Sequence, residues 1–249
     1  MSSLPSRRFV GLAVLDLCAS AGIGVLRFTG GISPESFGVF VNLHLILLIS
    51  GALFLLVRRR AGRGFIALAL GLLLGDLGFA YAELSGQHHG TVALAAEVWW
   101  IPVRLGILLQ VLSWARGGQG QPTQQLRRGV AAAAALIPAS LLFGVLPLMD
   151  AGNPLSALVV GCTTVPLVAI AWAWPTLRCD TAARPCWATL GFATYLSTEL
   201  IRYSLEASGV GDWLVLFEVG YFAAYLGLIA AALALERGPT QATEPGPRP

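Results

Sequence analysis

Glu199, Arg202, Tyr203 and Glu206 follow one another at i, i+3, i+4 and i+7 within an otherwise apolar stretch. That spacing places all four on one face of a helix. As a set they can move a proton and hold an anion: carboxylates act as acid or base, a guanidinium offers five donors in a fixed fork, and a phenol stands beside them. Three further stripes have the same character, namely Glu97, Trp100 and Arg104, then Asp76 and Glu83, then Glu218, Tyr221 and Tyr225. Metal chemistry is not indicated. His44 is the only histidine inside an apolar run, and Cys18, Cys162, Cys179 and Cys186 form no CxxC pair, so neither a haem nor a zinc site can be assembled and no cofactor is expected. All sixteen basic residues are arginine, which excludes a lysine Schiff base.

The elements that carry these residues are long apolar runs. With 56% hydrophobic and 12% charged residues the composition lies far from the soluble norm. Runs sufficient to cross a bilayer, about 20 residues of helix, fall at 9–28, 37–57, 65–84, 91–114, 129–148, 155–176, 187–206 and 213–235. The expected fold is therefore all-α, a polytopic membrane helix bundle of about eight transmembrane helices over residues 1–236, with a disordered cytoplasmic tail over 237–249. Arg7 and Arg8, Arg58 to Arg60 and Arg63, Arg116, Arg127 and Arg128, Arg178 and Arg184, and Arg237 and Arg248 all fall on one side of that arrangement. By the positive-inside rule that side is cytoplasmic, which places the chain in a cell membrane with both termini in the cytoplasm and the first helix retained.

Only Arg27, Arg104 and Arg202 escape this pattern. Counted from the span ends, Arg27, Asn42, His44, Glu83, Glu97, Glu199, Arg202, Glu206 and Glu218 fall in the outer half of the membrane, with Asp76 and Arg104 near the middle. One cavity can hold them all. Three arginines cannot neutralise the carboxylates at 76, 83, 97, 199, 206 and 218, so some carboxyl groups face a proton, water or a ligand. Toward the cytoplasmic side the spans offer only Asp16 and Gln110, the pattern of a blind pocket. The fifth and sixth spans contain no ionisable residue and read as scaffold. Gly71 and Gly75 form a GxxxG step suited to close helix packing, and Pro102 interrupts the fourth span between Glu97 and Arg104.

The segment Thr198-Glu199-Leu200-Ile201-Arg202-Tyr203-Ser204 resembles the Thr-Glu-Ile-Ile-Arg-Tyr-Ser segment of the membrane-bound 3-hydroxyacyl-CoA dehydratases, the protein tyrosine phosphatase-like family. That family's dehydration is attributed to a tyrosine and a glutamate seven residues apart in a Tyr-Pro-x-Gly segment. Here Tyr225-Leu226-Gly227 is the nearest match, without the proline and with Ala232 in the glutamate's place. What the resemblance implies is thus confined to Glu199, Arg202 and Tyr203, as substrate-orienting or structural groups.

Three function classes follow from the residues. The first is an integral membrane enzyme, lyase-like or lipid-modifying, acting on a membrane lipid or other hydrophobic small molecule. In it Glu199, Glu97, Glu218 and Tyr225 carry acid and base chemistry, while Arg202, Arg104, Tyr203, Asp76, Glu83 and His44 bind substrate. The second is a proton-linked transporter, and the third a sensor or assembly protein whose ion pairs only fix helix register. Nucleic acid is not an expected partner.

Overall fold

A computed structural model describes residues 7–85, 91–116, 122–177, 183–209 and 214–234, and among them every regular element is helical. The helices are α1 (Arg7–Phe28), α2 (Pro34–Arg58), α3 (Arg63–Leu84), α4 (Thr91–Arg116), α5 (Pro122–Ser140), α6 (Leu146–Asp150), α7 (Pro154–Leu177), α8 (Ala183–Ala207) and α9 (Leu214–Ala234). Most begin within a turn or so of the apolar runs, but α5 starts at Pro122, so the polar Thr123–Arg128 segment is already helical. Between α5 and α6 a π-helical turn at Leu141–Val145 lets the Leu146 N–H donate to the Leu141 carbonyl. A proline ring normally collides with the carbonyl four residues back, and the widened turn makes room for Pro147 while keeping one helical run.

Six of these runs are long and apolar enough to cross a membrane: α1, α2, α3, α4, the α5–α6 run and α7. α8 falls short of that measure because Glu199 and Arg202 lower its hydropathy, while α9 is an apolar helix over Leu214–Ala234.

Six helices close into a ring in the order α2, α3, α4, α7, α8, α9, with α9 packed back on α2. From outside, α1 leans on α9 and α5 on α7. With no water to expel from lipid, such packing relies on close contact of small residues and on hydrogen bonds between helices. The GxxxG step serves this purpose: a Cβ at Gly75 would sit 2.7 Å from the Trp100 ring, while the Trp99 indole donates to the Gly71 carbonyl at 2.8 Å. The closest backbone approach joins α8 to α9, where a Cβ on Gly191 would lie 2.7 Å from the Ala224 carbonyl oxygen. One half of the ring interior is filled by Ile49, Ala52 and Leu56 of α2, Leu72 of α3, and Ile107 and Val111 of α4, all essentially inaccessible.

Candidate functional site

The other half of the ring is hollow. A cavity of about 430 Å³ lies among the C-terminal ends of α1, α3 and α8 and the N-terminal ends of α2 and α9. Its polar lining comes from five helices: Arg27, Asn42, Asp76, Glu199, Arg202 and Glu218. Trp100, Tyr195, Tyr203 and Tyr221 form much of the aromatic wall. The size suits a small-molecule site.

At mid-depth Glu199 is the centre of a buried chain. One carboxylate oxygen accepts from the Arg104 guanidinium of α4, and the other accepts from the Tyr221 hydroxyl of α9. Arg104 is 1% exposed. Its Nε donates to Thr163 Oγ1 of α7 at 2.6 Å, and that hydroxyl donates in turn to the Val159 carbonyl at 2.8 Å. The guanidinium carbon also stands 6.0 Å from the centre of the Trp100 ring. Four ring helices therefore meet on one ion pair, and each partner is bonded from more than one helix, which helps a buried pair to be tolerated.

A second carboxylate is held differently. Asp76, 7% exposed, accepts from the Tyr225 hydroxyl at 2.8 Å. Tyr225 is one turn beyond Tyr221 on α9, and Tyr195 connects the two couples: its ring stacks on Tyr225 at 6.4 Å between centroids and meets Tyr221 edge-on at 5.6 Å.

No protein-family model matches the chain, and no curated protein or solved structure is similar to it. The site must be read from its own geometry.

Of the residues expected from sequence, Glu199, Arg202, Tyr203, Asp76 and Glu218 line the cavity. Arg104 and Tyr225 stand behind it, each bound to a cavity carboxylate. Spacing alone suggests that Arg202 reaches back to Glu199 on the same helix, but both Glu199 oxygens are engaged from neighbouring helices instead. His44 is outside the lining; its Nε2 is 3.2 Å from Asp16 of α1, and its ring lies 4.4 Å from that of Phe222. That contact also brings Asp16 to the level of His44 rather than nearer the arginine-rich end. The side chains of Glu83, Glu97 and Glu206 are outside the described residues, as is the tail from Glu236 onward.

Three participants carried a weak sequence signal or none. Tyr195 precedes Glu199 by four residues, extending the α8 stripe one turn deeper, and that periodicity is visible in retrospect. Tyr221 stood in a stripe with Glu218 but had no assigned role. Thr163 gave no signal, because a hydroxyl in an apolar span is ordinarily bonded to its own helix.

Proposed function

We propose that the chain is an integral membrane enzyme acting on a lipid or other hydrophobic small molecule held in this cavity. The supporting observation is the construction of the Glu199 site: a carboxylate fixed by a buried arginine and a phenol at the wall of a closed-bottom pocket. Rigidly oriented charges are what stabilise developing charge in a reaction. Arg104 stands behind the cavity and is turned to Glu199 and Thr163, so the role of binding an anionic group passes to Arg202, with Arg27 beside the same cavity. Acid and base chemistry falls to carboxylates of the cavity other than Glu199, whose two oxygens are engaged by Arg104 and Tyr221. Beyond the cavity floor the ring is packed with apolar side chains, which favours a blind site over a permeation path. In the full topology α8 and α9 complete eight spans with both termini in the cytoplasm of a cell membrane; reporter fusions after residues 62, 120 and 181 should all report cytoplasm.

The activity test compares the lipid profile of a deletion strain complemented with wild type or with Arg202→Gln. The variant should reach the membrane in normal amount and fail to restore the profile. Full restoration by Arg202→Gln would remove substrate binding by this arginine, and an unchanged profile in the deletion itself would remove the lipid enzyme.

A further inference from the structure

Two carboxylates of the cavity, Glu199 and Asp76, are built into opposite electrostatic situations. Glu199 is paired with Arg104, which is buried from solvent and has no second carboxylate bonded to it among the described residues. If Glu199 took up a proton, the guanidinium would be left as an uncompensated charge in low dielectric, a state that proteins avoid. Arg104 already has Nη1 without a hydrogen-bond partner among the described residues, so it has little capacity to lose another. Asp76 is equally buried, but its bonded partner is the phenol of Tyr225, and no arginine is within ion-pair distance of it among the described residues. A proton can arrive on Asp76 or leave it without stranding a counter-charge.

We propose that Asp76, supported by Tyr225, is the proton-exchanging carboxyl of this cavity, while Glu199 with Arg104 is a fixed ion pair that orients the site. Tyr225 donates to Oδ2, so the exchanged proton resides on Oδ1, and the cavity that Asp76 lines supplies water or ligand as its source and destination. The groups that surround Asp76 are consistent with this. Across the ring, Glu199 of α8 and Glu218 of α9 act on it as like charges, and Tyr195 of α8 is also near. Around the same cavity, α2 contributes the uncharged Asn42, α4 contributes Trp100, and α1 contributes Arg27 at the mouth. Gly75 next to it leaves room for the Trp100 ring, which a Cβ there would meet at 2.7 Å. This assignment deepens the enzyme reading by naming its acid–base group, yet the proton exchange can be observed with no substrate at all.

The experiment is infrared difference spectroscopy of the purified full-length chain in phosphatidylcholine nanodiscs, recorded across an acid-to-neutral titration. Wild type should show a carboxylic-acid C=O band that disappears as pH rises, and Asp76→Asn should lose that band. Glu199→Gln with Arg104→Met, which removes the ion pair as a unit, and Glu218→Gln should both keep it. A band kept in Asp76→Asn, or lost in the ion-pair double variant or in Glu218→Gln, overturns the assignment. Should Asp76→Asn fail to fold, Tyr225→Phe decides the matter: it removes the donor and should shift the band frequency, and an unshifted band overturns the proposal. Loss of the lipid activity without loss of the band would count against the enzyme's use of this acid but not against proton exchange, so the two failures are distinguishable.

Discussion

Each half of the chain gives three helices to the ring, α2, α3 and α4 and then α7, α8 and α9, but the outer helices attach differently, α1 on α9 and α5 on α7. The chemistry of the two halves differs as well. In the first half α1 brings Arg27 to the cavity and α2 brings Asn42. Their counterparts α5 and α7 are held by small residues and hydroxyls: Thr164 Oγ1 donates to Ser140 Oγ at 2.7 Å, and the Gly144 backbone fits against Val160. What differs is the number of charged residues inserted, and the hollow lies where they are. One side of the ring is a packed scaffold and the other a polar site, so the same size of perturbation should act through different physics on each.

The largest effect is expected on the site side. Truncating Arg104 to Met leaves buried Glu199 without its cation, and the loss should be ~3 to 5 kcal/mol. The double variant Arg104→Met with Glu199→Gln should recover most of it, because removing both partners leaves no stranded charge. Thermal or denaturant unfolding in a fixed detergent would measure both. If the single and double variants are equally destabilised, the pair is not the unit described and the contrast between the halves is lost.

On the scaffold side the cost should come from volume. A Cβ at Gly144 would stand 2.8 Å from Val160 Cγ1, so Gly144→Val should cost ~1 to 3 kcal/mol by overpacking. Gly161 has nothing within 4 Å of the same added atom, and Gly161→Val on α7 is the control that should be nearly silent. Equal losses at 144 and 161 would show that helix propensity rather than packing decides.

The smallest effect belongs to the outer helix. α1 buries only Ser20 and Gly24, and its polar attachment to α2 is the Asp16–His44 contact, with the aspartate side chain 30% exposed. Polar contacts between membrane helices average about 0.6 kcal/mol, so Asp16→Asn should change stability by no more than that order. A loss rivalling that of Arg104→Met would make α1 part of the core and not an outer helix.

The polar stripes were legible because charge in an apolar run is costly and its periodicity selects one helix face. That reasoning placed Asp76, Glu199, Arg202 and Glu218 around a single hollow. It could not name partners. Spacing along α8 relates Glu199 to Arg202, whereas the donors that reach Glu199 come from α4 and α9, and which helices adjoin is a property of the ring. Hydropathy likewise marked α8 as a candidate span, although the residues that give the helix its role also lower its apolarity.

The apolar packing beneath the cavity also has an electrical meaning. In the membrane topology proposed for this chain, a water-filled pocket shares the potential of the compartment it opens to, and the membrane voltage falls mainly across the dry layer of Ile49, Leu56, Leu72, Ile107 and Val111. A charge that crossed that layer would gain or lose ~2.3 kcal/mol per 100 mV. A proton exchanged with Asp76 from the cavity side does not cross it. Chemistry in this pocket would therefore respond to the pH of one compartment and remain indifferent to the membrane potential.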